Sequence, residues 1–398
     1  DDVEFSLKRH LERSPALQRV KFIKLSPLGF SISSGRPEDW MRLLNVSLVK
    51  PAGSAGGKHI SAGPYIIEKL DRQKRRVRLK AFEKYINGPP LAPVAEYTFY
   101  NNSEMAMFGF LTDEADFMCG LSRGQEKLIG GLSDRKLVRY ASHDNFMLIF
   151  NTARPLMDDI LVRKAISLLM DRQSLVSKSE SLQGSAIPTQ YQFAMSAPVT
   201  KPHADPPAPE EASKLLQKAG YIRTAKGWEK DGKPLQLSML LSTHHTVYIP
   251  EARIITQWLN KAGLNTTFDL ASMIDYSDRQ VFNKSHIWFG AIYDKMEFES
   301  NYIQFEPGAV DNLYQSTNPA PAILLAGAKS GSLTTDAKES IIRKIADFSY
   351  SAPLFYPVEY CMGKGNTGYE DAFFRSPIIF SVINRNAPSG PLRSQTGP

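Results

Sequence analysis

A chain of 398 residues exceeds the size at which a single hydrophobic core keeps growing, so two or more lobes are expected. Apolar residues at 42% and charged residues at 22% are ordinary for a soluble globular protein, and the sequence has no apolar run long enough to span a membrane as a helix. The net charge of +7 comes from 48 basic and 41 acidic residues interspersed along the chain, which indicates a solvated surface rather than a nucleic-acid footprint.

In chain order, residues 1–20 read as a helix. Phe5, Leu7, Leu11 and Leu17 recur among Lys and Arg, and Asp1-Asp2 suits the positive end of a helix dipole. This start has no apolar h-region and no Met, so it is no signal peptide and looks trimmed. Val20 to Ile32 fits a strand pair interrupted at Ser26-Pro27, Trp40 to Val49 is a short amphipathic or buried segment, and PAGSAGGKH is a loop. From Gly63 the runs PYIIEKL, RRVRLKAF and PVAEYTFY read as strands, with Arg76, Arg78 and Lys80 on one solvated face. A helix over Asn102 to Leu111 precedes strands at Ala115 to Met118, Arg135 to Tyr140 and Phe146 to Phe150.

The stripe of Ile160, Val162, Ala165, Ile166 and Leu169 predicts a helix. Pro188 to Pro209 is polar and proline-rich, and reads as a long surface excursion. Beyond it, helix Glu210 to Ala219 ends at Gly220, strand Leu235 to Leu241 follows, and helix Pro250 to Ala262 ends at Gly263. Strands at Leu264 to Leu270 and Ile287 to Tyr293 complete a βαβ rhythm, and Asp336 to Phe348 is a further helix. The tail from Ala387 is rich in Pro, Gly and Ser.

Chemistry-bearing patterns are sparse. Gly120-Leu121-Ser122-Arg123-Gly124 matches the nucleophile elbow of serine hydrolases, which also needs an oxyanion loop, an Asp and a His. His244, His245 and His286 could only be nominated for that role. Gly57-Lys58 fails as a phosphate loop, because Ala52 stands where the first Gly belongs and His59 where a Ser or Thr would hold Mg²⁺. His244-His245 reads as a solvated loop pair. Cys119 and Cys361 form no ligand cluster; they either pair in an oxidising compartment or stay buried thiols, and the free thiols are slightly preferred. The stretch His286 to Asp294 sets Trp288, Phe289 and Tyr293 beside a carboxylate at a strand end. Strand core is the plain reading of these aromatics. A cleft wall, with Asp294 anchoring a solute's amine, is the sharper one.

The order of local motifs resembles the family 5 extracellular solute-binding proteins. Asp2 to Arg9 looks like the family's DVxFSxxR helix start, and Ser61 to Tyr65 is similar to its GTGPY strand start, with Ser-Ala in place of Gly-Thr. Phe82 to Pro90 with Val94 to Phe99, and then Leu111 to Asp116, resemble the next two segments, although the first lacks the family's Trp. Phe150-Asn151-Thr152, Pro155, Asp158-Asp159, Val162 to Ala165 and Asp171-Arg172 follow FNTxxPPFxDxRVRxAxxxAxDR nearly in step. EEASKLLQKAGY at Glu210 to Tyr221 and the DGKPL run ending at Leu235 complete the series, which covers about two thirds of the chain.

The resemblance implies a two-lobed α/β fold of the periplasmic-binding-protein type (type II), with hinge strands and closure on a solute between the lobes. Residues 59–142 and 352–386 would form the first lobe and 143–351 the second. Residues 1–58 would be the remnant of a small subdomain and 387–398 a flexible tail. The family's strands before the DVxFS helix are absent from the sequence. In peptide-binding relatives an Asp holds the ligand's amino terminus. Tyr293-Asp294 stands in that place, but Lys295, Met296 and Glu297 do not continue the motif. Phe117, Met118, Cys119 and Gly120 would line the cleft, and Asn151, Asp159 and Arg163 would be framework.

The implied protein is a monomeric receptor, periplasmic or lipid-anchored at the cell surface. It would hand a peptide or similar small solute to an ABC permease, with no catalytic residue, metal, cofactor or nucleic-acid partner. Alternatives are a solute-sensing domain of a transcriptional regulator and a serine hydrolase using Ser122.

Overall fold

The computed structural model describes residues 8, 21–26, 30–33, 64–85, 88–90, 92–100, 103–121, 125–126, 135–179, 182, 186–194, 204–271, 284–295, 298–309, 311–327 and 333–364. Apart from Lys8, the helix expected over 1–20 lies outside these residues, as do the segment 40–49, the glycine loop, Ser122 with Gly124, and the tail. The chain forms two compact units, Asp1–Tyr140 with Glu359–Pro398, and Ala141–Val358. Among the described residues no helix is long and apolar enough to cross a membrane.

In the first unit, β1 (Lys21–Lys24) and β2 (Phe30–Ser33) pair antiparallel around Ser26, as the two apolar runs predict. Strands β3 (Tyr65–Asp71), β4 (Arg76–Ala81) and β5 (Val94–Thr98) make an antiparallel sheet. The basic run on β4 is answered across both neighbours. Arg78 meets Glu68 at 2.7 Å and Glu96 at 3.4 Å, while Arg76 meets Glu96 and Glu114, each at 3.7 Å. These half-exposed pairs form a solvated ionic face worth little stability each. Helix α1 (Ser103–Leu111) leads through a turn to β6 (Phe117–Leu121), and β7 (Arg135–Ala141) follows. Asp113 in that turn has a left-handed φ of 66°. The Lys364 ammonium at 2.7 Å and the Arg135 guanidinium at 3.0 Å hold its carboxyl below the usual range.

The second unit is built on one sheet. Its strands in chain order begin with β8 (Asp144–Phe150) and β9 (Ala186–Pro188). The small hairpin strands β10 (Ile222–Thr224), β11 (Gly227–Lys230) and β12 (Lys233–Pro234) follow. Then come β13 (Leu237–Ser242), β14 (Thr266–Ala271), β15 (Ile287–Tyr293) and β16 (Ser351–Lys364). The main sheet runs β14-β13-β15-β8-β16, and β9 also pairs with β16. β13 is parallel to both β14 and β15, whereas β8 is antiparallel to β15 and β16. Helices α2 (Ile160–Leu168), α3 (Arg172–Lys178), α4 (Pro209–Lys218), α5 (Ile249–Lys261), α6 (Ala320–Ala326) and α7 (Thr335–Asp347) complete the unit. Helix α5 is the crossover between β13 and β14, as the βαβ rhythm predicts. Gly220 and Gly263 follow α4 and α5 at φ of 91° and 84°, a conformation that costs glycine nothing.

β8 is buried from Asn145 to Phe150, the signature of a central strand covered on both faces. Phe146, Leu148 and Phe150 pack with Val162, Ala165 and Ile166 of α2 and with Leu237, Met239 and Leu241 of β13. Val162, Ala165, Ile166 and Leu169 of the stripe read from the sequence therefore belong to the face that meets the sheet, whereas Ile160, at the first turn, is 38% exposed. Asp159 caps α2 by accepting the Leu161 N–H at 2.8 Å.

Arg163, on the same helix, is buried and donates to four backbone carbonyls, of Met157, Asp158, Phe348 and Ser349, at 2.6 to 3.1 Å. It thereby ties the start of α2 to the end of α7. Burial lowers its pKa, and the oriented carbonyls supply the compensation that a buried charge requires. Asn151 joins the same framework through its side chain, which donates to Ser285 O at 3.3 Å and accepts from the Ala153 N–H at 3.3 Å.

Two expectations are corrected. The start of the proline-rich excursion, residues 188–194, packs into the core, since Thr189, Tyr191, Gln192, Phe193 and Ala194 are all buried. The Thr189 N–H bonds Leu354 O at 2.9 Å, and the Phe193 ring meets Phe305 edge-on at 5.8 Å. Prolines and polar residues suggested a surface loop, but long-range partners satisfy this backbone. The preference for free thiols is also overturned. Cys119 on β6 stands directly opposite Cys361 on β16, and the two form a disulfide with 4.1 Å between Cα atoms. A sequence separation of 242 hides that register from any local reading.

Candidate ligand-binding site

The parallel strands β13 and β15 end on the same side of the second unit's sheet, the end at which open α/β sheets bind ligands. Tyr293 closes β15 and lies opposite Asp144 at the start of β8. The next residue, Asp294, is locked to the neighbouring strand by main-chain and ring contacts. Its N–H donates to His143 O at 2.8 Å, and its carbonyl lies 3.1 Å from His143 Nδ1. The His143 and Tyr293 rings lie 5.8 Å apart, and Tyr293 is 45% exposed, a large aromatic surface offered to solvent.

Asp294 itself is fully buried, and its Oδ2 accepts the Tyr356 hydroxyl. The direction of that bond follows from counting. The Tyr356 oxygen already accepts Asn145 Nδ2–H at 2.8 Å and the Ala194 N–H at 3.1 Å, which uses both lone pairs. Its one hydrogen is left for the carboxylate. Burial and the adjacent Asp294 charge push the Tyr356 pKa well above its ordinary value, so the hydroxyl stays protonated. Behind this pair, Gln304 donates to Tyr293 O at 3.1 Å and to Asn301 Oδ1 at 3.0 Å. Gln192 donates to Gln304 Oε1 and to the Tyr314 hydroxyl, both at 2.7 Å. A chain of buried polar groups thus holds the strand end that carries Tyr293 and Asp294.

Tyr293, Asp294 and Trp288 come together on and just after one strand of the second unit. Trp288 is 2% exposed, its backbone paired with Ile149 and Leu240, so it lies inside the sheet's packing. Phe117, Met118, Cys119 and Gly120 form β6 of the first unit, opposite β16. Met118 is buried, while Phe117 and Cys119 are half-buried. His245 is not a solvated loop residue, because its ring meets Phe146 edge-on at 5.2 Å. His286 sits at the opposite end of β15 from Asp294, with Ser238 Oγ 2.9 Å from its Nδ1. Among the described residues no three metal-ligating side chains cluster. Sequence reasoning missed Tyr356, Asn145, Gln192 and Gln304. The visible signal was a polar residue inside an apolar run, as with Asn145 in DNFMLIF.

The fold defines a class of protein before any family does, a two-lobed α/β architecture of the periplasmic-binding-protein type. Solved structures that share it include the following three. An oligopeptide-binding protein, AppA, from Bacillus subtilis in complex with a nonapeptide is 17% identical, with a TM-score of 0.68 over 92% of this chain and 79% of that one. NikZ from Campylobacter jejuni in complex with Ni(L-His) is 17% identical, with a TM-score of 0.69 over 92% and 79%. The ABC transporter substrate-binding protein CtaP from Listeria monocytogenes is 15% identical, with a TM-score of 0.70 over 94% and 80%. No curated protein matches the sequence. The model of the bacterial extracellular solute-binding proteins, family 5 Middle, matches residues 1–305, and the chain belongs to that family. It is accordingly a solute-binding receptor of an ABC-type importer, a transport protein rather than an enzyme.

Proposed function

We propose that the solute is a peptide or similar small amine-bearing molecule, held reversibly and without covalent chemistry by the lobe closure that the family resemblance implies. The observation that carries the proposal is the pairing of an exposed Tyr293 with Asp294 at the end of β15. Tyr293 offers a ring face that stacks on many side chains, which suits a receptor tolerant of sequence. Asp294 is the proposed amine anchor. The Tyr356 hydroxyl occupies its Oδ2 here, so an arriving ammonium would exchange a neutral donor for a charged one. Trp288 would support this wall from within the sheet, and Phe117, Met118, Cys119 and Gly120 are the proposed contribution of β6.

The AppA structure contains a peptide and the NikZ structure a nickel–histidine complex, so the fold serves both chemistries. The carboxylate anchor favours the peptide. We further propose that the protein acts as a monomer, in the periplasm or anchored by lipid at the cell surface.

Native mass spectrometry of gently purified protein identifies the co-purifying solute, and calorimetry then measures its affinity. Asp294→Asn should weaken binding of a free-amine peptide by about tenfold or more, with an N-acetylated peptide little affected. Equal affinities for the free-amine peptide in both proteins would remove Asp294 as anchor.

A further inference from the structure

One face of the second unit's sheet loses its core cover at the end where the parallel strands stop. Leu241 of β13 stands opposite Leu270 of β14 on one side and Phe289 of β15 on the other. Directly paired residues share a face, and so do alternate residues of one strand. Leu270, Leu241, Phe289, Ala291 and Tyr293 therefore lie on one face, with Phe146 of β8 opposite Ala291. Leu241, Phe289 and Phe146 belong to the core, and Phe268 and Ala291 pack against it. Two residues further along β14 and β15 the cover ends, because Leu270 is 47% exposed and Tyr293 nearly as much.

The helical turn Thr243–Tyr248, which follows β13, lies over the same face. Its Tyr248 ring stands 4.3 Å from the Phe146 ring, and its His245 ring 5.2 Å. Val247 of that turn is 58% exposed. Each of the three parallel strands thus carries an exposed apolar side chain at or just beyond its C-terminal end. The other large apolar residues exposed in this unit, among the described residues, are Ile160, Ile222 and Ile323, scattered over α2, β10 and α6. A row of apolar side chains at the ligand-binding end of an α/β sheet is a surface left open for a solute.

Asp144 stands opposite Tyr293, and Asp294 follows it, so one end of this rim is acidic while its length is apolar. Its size follows from sheet geometry. Leu270 sits level with Phe289, which places it two strands away from Tyr293 and four residues back along the sheet. That is about 10 Å across and about 13 Å along, or about 16 Å in all. An extended chain covers such a length with about five residues.

We propose that this rim selects peptides of about five residues that carry large apolar side chains behind a free amino terminus. The amino end lies at Tyr293-Asp294, and the chain runs past Val247 to Leu270. The inference rests on the amine-anchor reading and adds the length and side chains of the solute. A leucine or phenylalanine on the rim removes apolar surface from water on both partners, whereas a serine in its place leaves the rim wet.

Calorimetry of the full chain with the free-amine peptides Ala-Leu-Ala-Phe-Ala, Ala-Ser-Ala-Ser-Ala and Ala-Leu tests the idea. The apolar pentapeptide should bind about tenfold more tightly than either of the others. Leu270→Asn and Val247→Ser, both at exposed positions outside the core, should each narrow its lead over the serine peptide to about threefold. Asp294→Asn should weaken both pentapeptides alike. Equal affinities of the wild type for the two pentapeptides, or a ratio that neither rim variant changes, overturns the proposal. So does a dipeptide that binds as tightly as the apolar pentapeptide. If Asp294→Asn still weakens both pentapeptides in those cases, the amine anchor stands without the rim. A wild type that binds none of the peptides overturns both readings.

Discussion

At the scale of single residues, this protein manages buried charge with backbone dipoles more than with ion pairs. Arg163 and Arg172 each donate mainly to main-chain carbonyls, and each thereby fixes the distance between elements far apart in sequence. His286 follows a different rule. Its Nδ1 accepts the Ser238 N–H at 3.1 Å, and burial, aided by the Arg154 charge, holds the imidazole neutral with a pKa of about 4 against an ordinary 6.5. Between those two values the unfolded chain binds the proton and the folded chain does not. The stability contributed by His286 is therefore complete above pH 6.5 and is lost as the pH falls toward 4. His286→Asn, which cannot titrate, should flatten the fall of the melting temperature across that window by about 2–4 °C in calorimetry. A slope equal to the wild type's would contradict the neutral, buried imidazole.

Elements show where local signals suffice and where they fail. Helix α2 was legible from its apolar stripe, and the family resemblance marked Asp159 and Arg163 as framework, to which the structure adds that Asp159 caps the helix. Asp159→Ala should cost about 1 kcal/mol in urea unfolding, because the Leu161 N–H then loses its acceptor. An unchanged midpoint would mean that water replaces the cap without loss. The segment 188–194 misled for a physical reason. Proline and polar side chains mark surfaces when water is their partner, yet here Leu354, Tyr356 and Gln304 take water's place. Helices α3 and α6 and strands β9 and β16 went unread. Each is short or lacks clear periodicity, and β16 exists because β8, β6 and β9 pair with it.

At the scale of the whole molecule, the chain leaves the first unit at Tyr140 and returns to it at Glu359. The Cys119–Cys361 bond therefore closes a loop that contains the entire second unit. Such a large closed loop restricts the unfolded chain strongly. Replacing both cysteines by serine should lower the unfolding free energy by about 2–4 kcal/mol. Dithiothreitol should reproduce that loss in the wild type and do nothing further to the double variant. Identical denaturation of oxidised and reduced wild type would show that the bond contributes nothing. A disulfide also fits a protein of an extracellular family, since such bonds persist in oxidising compartments.

The family, the α/β class and most regular elements could be read from residue order alone, because these rest on motif order and on periodicities of two and 3.6 residues. That order also marked Tyr293-Asp294 at a strand end. Three-dimensional packing brings Cys119 to Cys361, brings Tyr356 to Asp294 from 62 residues away, and leaves a groove between α2 and α7. Those facts depend on register and packing between distant segments, and no local pattern of residue types encodes them.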